Sequence, residues 1–180
     1  KKANELMAHS YSHFYEIPCT GLRFFTVYGP FGRPYMAPMI FAKSMLNGEP
    51  INIFNYGRMK RDFTYIDDII EGVFRCCYKP AYVDNEFDYL NPNQSTSFAP
   101  FRIFNIGNSD PVELLEFIET LENELGVEAV KNYLPMQPCD VESTAAKTDL
   151  LENWINFKPS TSIEIGVHKF AKWYLNYYGN

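Results

Sequence analysis

The pattern of apolar and polar positions divides the chain into short helices and strands. Apolar residues recur every three to four positions over residues 1–15, 38–46, 68–78 and 112–125, the spacing of one helix face. Two more helices are predicted at residues 144–151 and 161–178, and short strands at 51–54, 102–107 and 131–134. We expect Asp67 and Ser109 to cap the helices that follow them, and Gly126 to end the helix over 112–125.

Residues 20–34 form the first candidate site. Bulky β-prone residues up to Val27 predict a strand, which breaks at Gly29-Pro30. Ligands of α/β proteins bind beyond the carboxyl ends of strands, so Thr26 and Arg33 are candidate ligand contacts. The alternative is a buried strand followed by an ordinary turn with Arg33 in solvent.

Residues 56–61 form a second candidate, a basic turn that contains Arg58, Lys60 and Arg61. Arginine donates two N–H groups to phosphate oxygens at once, so the turn is a candidate diphosphate clamp. The alternative is a solvated basic loop.

Composition excludes several classes of protein. The chain has 180 residues, 46% of them hydrophobic and 21% charged, which describes a globular domain. Its net charge of −6 argues against a nucleic-acid partner, and no apolar run is long enough to span a membrane. The four cysteines include no Cys-x-x-Cys pair, and adjacent Cys76 and Cys77 suggest a reducing compartment, the cytoplasm.

A metal site on the first helix is the weaker of two interpretations. His9 and His13 lie one turn apart and Glu5 one turn before them. No third strong ligand is near and the His-Glu-x-x-His pattern is missing, so a mixed polar face is favoured and no metal is expected.

Several segments resemble the extended short-chain dehydrogenases that act as nucleotide-sugar epimerases and dehydratases. Residues 22–30, Leu-Arg-Phe-Phe-Thr-Val-Tyr-Gly-Pro, resemble the strand and loop after the family's catalytic helix. Residues 61–68, Arg-Asp-Phe-Thr-Tyr-Ile-Asp-Asp, are similar to a second family signature. The order Thr, Val-Tyr-Gly-Pro, then Gly-Arg-Pro is most similar to UDP-glucuronate 4-epimerases.

The resemblance implies an α/β fold: the C-terminal part of a Rossmann-like extended short-chain dehydrogenase with a small α/β substrate-binding lobe, over residues 1–180. The glycine-rich turn that holds the NAD pyrophosphate is not in the sequence. Lys1 matches the lysine of the family's Tyr-x-x-x-Lys motif. We therefore expect an N-terminal NAD-binding half upstream in the same gene and no activity from these residues alone.

The resemblance also implies functional residues. NAD is the expected cofactor, with Lys1 on its ribose and as the partner that lowers the pKa of the catalytic tyrosine, and with Phe25 and Val27 beside the nicotinamide. Thr26 would bind the sugar. The remaining expected nucleotide-sugar contacts are Arg33, Tyr35, Met36, Asn52, Ile53, Phe54, Arg61, Gln137 and Asp140. The family's first helix also packs against its copy, which implies a homodimer.

Three departures affect the expected ribose and phosphate contacts. Cys139 stands where the family has glycine, so a left-handed backbone there would be strained. Gln137 replaces an arginine found in some relatives, and Lys147 replaces a frequent aspartate.

The implied reaction is C4 epimerisation of a UDP-hexuronate, UDP-glucuronate to UDP-galacturonate, through a 4-keto sugar. The alternatives are another enzyme of the family (a 4,6-dehydratase, a decarboxylase or an N-acetylhexosamine epimerase) and a non-catalytic module that only binds a UDP-sugar.

Overall fold

A computed structural model describes residues 1–93, 95–138 and 140–179. The helices are α1 (Lys2–Tyr15), α2 (Ala37–Leu46), α3 (Ile66–Tyr78), α4 (Leu114–Leu125), α5 (Asp149–Ile155) and α6 (Ile163–Tyr178). The strands are β1 (Cys19–Phe24), β2 (Thr26–Tyr28), β3 (Ile51–Ile53), β4 (Lys60–Tyr65), β5 (Phe101–Ile106), β6 (Pro111–Glu113) and β7 (Lys131–Tyr133). A short 3-10 turn, Phe54–Gly57, follows β3.

The strands form three small sheets. β1 pairs with β5 in parallel, and β3 pairs with β7 in parallel. In the third sheet β4 is central, parallel to β2 and antiparallel to β6. Helices separate the parallel partners along the chain, as crossover connections require. The α/β fold class is confirmed.

The strand predicted over residues 20–27 is two strands. The chain leaves the first sheet at Phe25, whose backbone N–H still reaches the Ile106 carbonyl at 3.4 Å. β1 stays paired with β5 up to its last residue, and β2 starts at Thr26, which pairs with Phe63 of β4. Thr26 therefore opens a strand of the second sheet and does not end the first one.

Two apolar clusters support these sheets. The larger lies between the β2–β4 sheet and helices α2, α4 and α6, and at its centre the ring of Phe63 stacks on Phe117 at 4.4 Å. The smaller lies among β5, α3 and α5 and contains Ile69, Ile106 and Leu151. Cys76 packs in the smaller cluster, where burial raises the pKa of its thiol.

Both predicted helix caps are wrong. α3 begins at Ile66, and Asp67 lies in its first turn with a carboxylate oxygen 3.3 Å from Lys169 Nζ. Ser109 has a left-handed backbone with φ of 60°, and Pro111–Glu113 pairs with β4 before α4 begins. Residues 112 and 113, which local spacing assigned to a helix, instead pair as a strand with a distant part of the chain.

The helix predicted at residues 144–151 is displaced. The backbone N–H of Thr144 donates to the Lys60 carbonyl, and that of Ala146 donates to the Asp62 carboxylate at 2.7 Å. These bonds to β4 hold the segment extended, so α5 begins only at Asp149. The end of α4 at Gly126 is confirmed, because Gly126 has φ of 68° and its N–H donates to the Glu122 carbonyl.

Candidate functional site

A cavity of about 610 Å³ opens between the β2–β4 sheet, the start of α2 and β3. Its size is in the range of small-molecule sites. Of the residues that the resemblance assigned to nucleotide-sugar binding, those on the cavity wall are Thr26, Tyr35, Met36, Asn52, Phe54, Arg61 and Asp140. Segments far apart in sequence therefore meet around one space.

One wall of the cavity is a helix face that sequence analysis did not assign to the site. Ala37, Ile40, Phe41 and Ser44 of α2 line the cavity. Their spacing of three, four and seven positions places them on one side of a helix. The same spacing also suits packing into the core, so it gave no reason to assign the residues to a site.

Arg61 and Asp140 form the polar centre of the cavity. Arg61 Nη2 donates to Asp140 Oδ1 at 2.9 Å, and its Nη1 donates to the Lys60 and Glu142 carbonyls at 2.9 and 3.3 Å. The Arg61 side chain is 17% exposed. A guanidinium fixed by three acceptors and open to the cavity is suited to bind an anionic ligand without reorganising.

The three cations of the candidate clamp do not line one cavity. Lys60 and Arg61 are successive residues of β4, so their side chains leave opposite faces of the sheet. Lys60 pairs with Glu113 at 2.8 Å, and with Arg58 it lines a separate cavity of about 660 Å³. Of the three cations, only Arg61 reaches the cavity that Thr26 lines.

Thr26 lies between two residues that face elsewhere. It contributes to the cavity wall, whereas Val27 packs on the smaller apolar cluster with Leu22. Phe25 is partly buried at the junction of β1 and β2. The alternation of a strand explains why the hydroxyl faces the cavity while its neighbour does not.

Arg33 lies next to the cavity wall. Its Nη1 donates to Tyr35 Oη at 3.4 Å, and its guanidinium carbon is 5.4 Å from the centre of that ring. Its Nη2 is 3.7 Å from Met36 Sδ. Arg33 is exposed, and it is not among the residues that line the cavity.

The remaining expected contacts are spread over three environments. Asn52 is exposed on the cavity wall and its Oδ1 accepts from Asn132 of β7 at 2.8 Å. The Ile53 side chain is fully buried in the core, so only its backbone could meet a ligand. Gln137 is exposed and is not on the cavity wall, and Cys139 lies outside the described residues.

Lys1 and the first helix lie outside the cavity wall. Lys1 is exposed, and its carbonyl accepts from Asn4 and Glu5 at the start of α1. His9 Nε2 is 2.7 Å from Ser97 Oγ, and its ring packs on Phe101. Over residues 1–93, 95–138 and 140–179 no three histidine, cysteine or acidic side chains cluster as metal ligands would. Within those ranges no helix has the length and apolar character needed to cross a bilayer.

Asp62 is a residue whose importance sequence analysis missed. It is fully buried, and its carboxylate accepts backbone N–H bonds from Asn108 at 2.9 Å, Ser109 at 3.1 Å and Ala146 at 2.7 Å. It follows Arg61 directly in β4. One carboxylate therefore fixes the segments on both sides of the strand that carries Arg61, and a lone aspartate in a signature gives no sequence signal for that role.

Residues 1–91 match the profile of the NAD dependent epimerase/dehydratase family. The chain is 54% identical over 178 residues to Protein CapI of Staphylococcus aureus, which covers 99% of this chain and 53% of that protein. It is 50% identical over 178 residues to a probable UDP-glucuronate 4-epimerase of Rhizobium meliloti (strain 1021), covering 97% of this chain and 51% of the relative. The chain thus spans about half the length of the curated relatives it matches.

A solved structure shows the same fold. The crystal structure of UDP-glucuronic acid 4-epimerase from Bacillus cereus in complex with UDP-glucuronic acid and NAD superposes with a TM-score of 0.81 at 30% identity. The match covers 99% of this chain and 52% of the Bacillus cereus chain. With the family profile matching half of its residues, this chain belongs to the NAD-dependent epimerase/dehydratase family.

Proposed function

We propose that the protein to which these residues belong is an NAD-dependent epimerase that inverts C4 of UDP-glucuronate to give UDP-galacturonate. The observation that carries the proposal is the cavity in which Arg61, Asp140 and Thr26 meet. A nucleoside diphosphate sugar needs a cation for its phosphates, an acceptor for ribose hydroxyls and a donor for the sugar. Named relatives and the Bacillus cereus complex support UDP-glucuronate as that ligand.

Within the cavity, we assign the phosphates to Arg61, with Arg33 approaching from the adjoining loop. Asp140, which now holds Arg61 at 2.9 Å, would also accept from the ribose. Tyr35, Met36, Asn52 and Phe54 would enclose the nucleotide together with the α2 face, and Thr26 would donate to the sugar carboxylate. A hydroxyl donor to a carboxylate favours a uronate over a neutral hexose.

The residues of this chain fit one side of an NAD site. Phe25 and Val27 are partly buried apolar residues on either side of Thr26, which suits the face of a nicotinamide ring. NAD, when bound, would accept the C4 hydride and return it to the opposite face of the sugar. Lys1, at the start of α1, would bond the cofactor ribose and lower the pKa of the proton-accepting tyrosine.

We further propose that these residues are the C-terminal portion of the enzyme. The sequence contains no glycine-rich turn able to hold a dinucleotide pyrophosphate, and the relatives are about twice as long. The remaining portion would supply that turn and the tyrosine. A dimer through α1 is part of the same proposal.

The test is a product assay on the complete protein. UDP-glucuronate, UDP-glucose and UDP-N-acetylglucosamine are incubated separately with enzyme and NAD, and products are resolved by anion-exchange chromatography. We expect UDP-galacturonate from the first substrate as the main product. A decarboxylated or 6-deoxy-4-keto product would assign the protein to another activity of the family, and UDP binding without turnover would make it a binding module.

A further inference from the structure

The loop between β2 and α2, residues 29–36, is attached at its tip to the last helix. Phe31 at this tip has its ring centroid 5.1 Å from that of Trp173 and 5.7 Å from that of Tyr177, both on α6. The two α6 rings stack on each other at 5.5 Å with an interplanar angle of 22°. Phe31 therefore rests on an aromatic surface that α6 presents.

The backbone at Phe31 needs such support. Its φ is 57°, in the left-handed region that bulky side chains rarely occupy. A residue keeps this conformation only where its surroundings impose it. The Phe31 side chain is 76% exposed, so burial in a core does not impose it. The contacts with Trp173 and Tyr177 are the interactions suited to do so.

The base of the same loop packs against two helices. Gly29 has φ of 145°, and a Cβ there would clash with Ile66 of α3. The ring of Tyr28, just before it, fills the space above Gly166 of α6, where a Cβ would overlap the phenol oxygen. Helix α6 thus contacts the chain at both ends of the segment 28–31.

The other half of the loop forms cavity wall. The Met36 N–H donates to the Arg33 carbonyl at 3.0 Å, and the Arg33 side chain packs on Tyr35. Tyr35 and Met36 line the cavity, whereas α6 contributes none of the cavity-lining residues in the described part of the chain. This part of the wall is therefore connected through the loop to a helix that does not line the cavity.

We propose that α6 sets the affinity of the cavity through this contact, with Phe31, Trp173 and Tyr177 as positioning residues for the nucleotide sugar. The proposal rests on the proposed function for the identity of the ligand. Without the ring contact the loop samples other conformations, and the apparent dissociation constant rises as the competent fraction falls. An aromatic pair of ordinary strength corresponds to a loss of about 3- to 10-fold in affinity.

The first experiment does not depend on any ligand. Hydrogen exchange of the amides in residues 29–36 is measured in the complete, ligand-free protein, with the Met36 amide as reporter because it is hydrogen-bonded to Arg33. Phe31→Ala and Trp173→Leu should exchange faster over this loop, while Trp173→Phe, which keeps a ring, should restore the wild-type rate. Trp173 Nε1 has no acceptor among the described residues, so Trp173→Phe sacrifices no hydrogen bond.

Two further variants separate the ring from the backbone and from general destabilisation. Phe31→Gly relieves the left-handed backbone but removes the ring, so it should still loosen the loop. Phe74→Ala removes an exposed ring that pairs with Tyr78 on α3, and it should leave residues 29–36 unchanged. A loop that exchanges at the wild-type rate in both Phe31→Ala and Trp173→Leu would overturn the proposal.

The second experiment measures function in the same variants. UDP-glucuronate affinity should fall about 3- to 10-fold in Phe31→Ala and Trp173→Leu, with kcat within about 2-fold of wild type, since the rings contact no reacting group. An equal fall in kcat with unchanged KM would refute a positioning role. If wild type itself binds no UDP-sugar, the proposed function fails, and the exchange data still decide whether α6 holds the loop.

Discussion

At the scale of single residues, Arg61 supplies a cation to the cavity wall. Its guanidinium is held by Asp140 and two backbone carbonyls, so it faces the cavity before any ligand arrives. In the proposed function, removing it would cost a charge-assisted hydrogen bond to phosphate, and it leaves Asp140 without its partner. Both the lost cation and the unpaired carboxylate would weaken the binding of an anionic ligand.

We expect Arg61→Ala to weaken UDP binding by about 1.5–3 kcal/mol, the scale of a hydrogen bond to a charged group. Isothermal titration of UDP into the complete protein measures the change. Lys60→Ala is the matched control, because this neighbouring cation leaves the opposite face of β4 and pairs with Glu113. Equal affinities for Arg61→Ala and wild type would remove Arg61 from the phosphate site.

A second residue-scale prediction concerns the contact of Gly166 with Tyr28. Alanine in place of a helical glycine ordinarily stabilises by up to ~1 kcal/mol, but here the new Cβ would overlap the phenol oxygen. We expect Gly166→Ala to lower the free energy of unfolding by about 1–3 kcal/mol, the range for overpacked cores. Urea denaturation measures it.

Tyr28→Phe is the companion variant. The Tyr28 hydroxyl is buried and has no hydrogen-bond partner among the described residues, and burial raises its pKa. Loss of the hydroxyl should cost little by itself and should recover part of the stability that Gly166→Ala loses. The recovery should be incomplete, because the remaining ring atoms of residue 28 still lie close to the new Cβ. Additive effects in the double variant would show that the two residues do not interact.

At the scale of elements, the sequence predicts which segments are helical better than it predicts where each helix begins. The amphipathic spacing that predicts α4 and α6 reflects burial against neighbours, whereas the apolar residues that give the spacing of α1 are largely exposed. The start of α4 fails because Pro111–Glu113 gains a strand partner in β4. Local sequence does not contain that partner, so no capping rule could have found it.

The same limit applies to the site. The resemblance supplied Arg61, Asp140 and Thr26, and the structure brings these three residues to one cavity. The α2 wall and the role of Asp62 were missed, because each depends on which distant segment lies opposite. Once β4 is known to begin at Lys60, the alternation of side chains along a strand is enough to predict that Lys60 and Arg61 face opposite sides of the sheet.

An element-scale prediction concerns the attachment of α1 to β1. Arg23 Nε and Nη2 donate to the two Glu5 oxygens at 2.7 and 2.8 Å. The hydrogen bond from Arg23 lowers the pKa of Glu5 from 4.5 to about 2. A carboxyl with a lowered folded-state pKa stabilises the fold above its unfolded value and loses that contribution as pH falls through the folded value.

Wild type should therefore lose stability between pH 4.5 and 2 through this group, whereas Glu5→Gln has no carboxyl to titrate at the position. Thermal unfolding at pH 7, 4 and 2.5 should show a difference between the two proteins that shrinks with acidification. A difference that stays constant over this range would mean that Glu5 has an ordinary pKa. The exposed pair Lys147–Asp149, at 3.9 Å, offers Asp149→Asn as a control.

At the scale of the whole molecule, α1 presents an uncovered apolar face. Met7, Tyr11 and Phe14 follow one another by four and three residues and are 56%, 61% and 76% exposed. Apolar side chains grouped on one helix face commonly mark an interface. A second copy of α1, as in the proposed dimer, is a partner of matching chemistry.

We expect Phe14→Glu to shift the complete protein from dimer towards monomer, because the contact would have to bury a charge. Sedimentation velocity measures the change. Leu90→Glu is the control, since Leu90 is 97% exposed on a loop and its substitution tests added charge alone. A Phe14→Glu protein that stays dimeric would place the interface elsewhere.

The pairing of β3 with β7 has a consequence for how the protein folds. Ile51 pairs with Lys131 and Ile53 with Tyr133, so β3, which lines the cavity, meets its partner strand only after a long stretch of chain has closed into a loop. The Asp62 bonds to Asn108 and Ala146 also join segments that are far apart in the sequence. Loop closure of this length is costly in entropy before any contact compensates it, and such topologies fold slowly. The helices can form early from local contacts, whereas the β3 wall of the cavity gains its partner strand only when these distant segments meet.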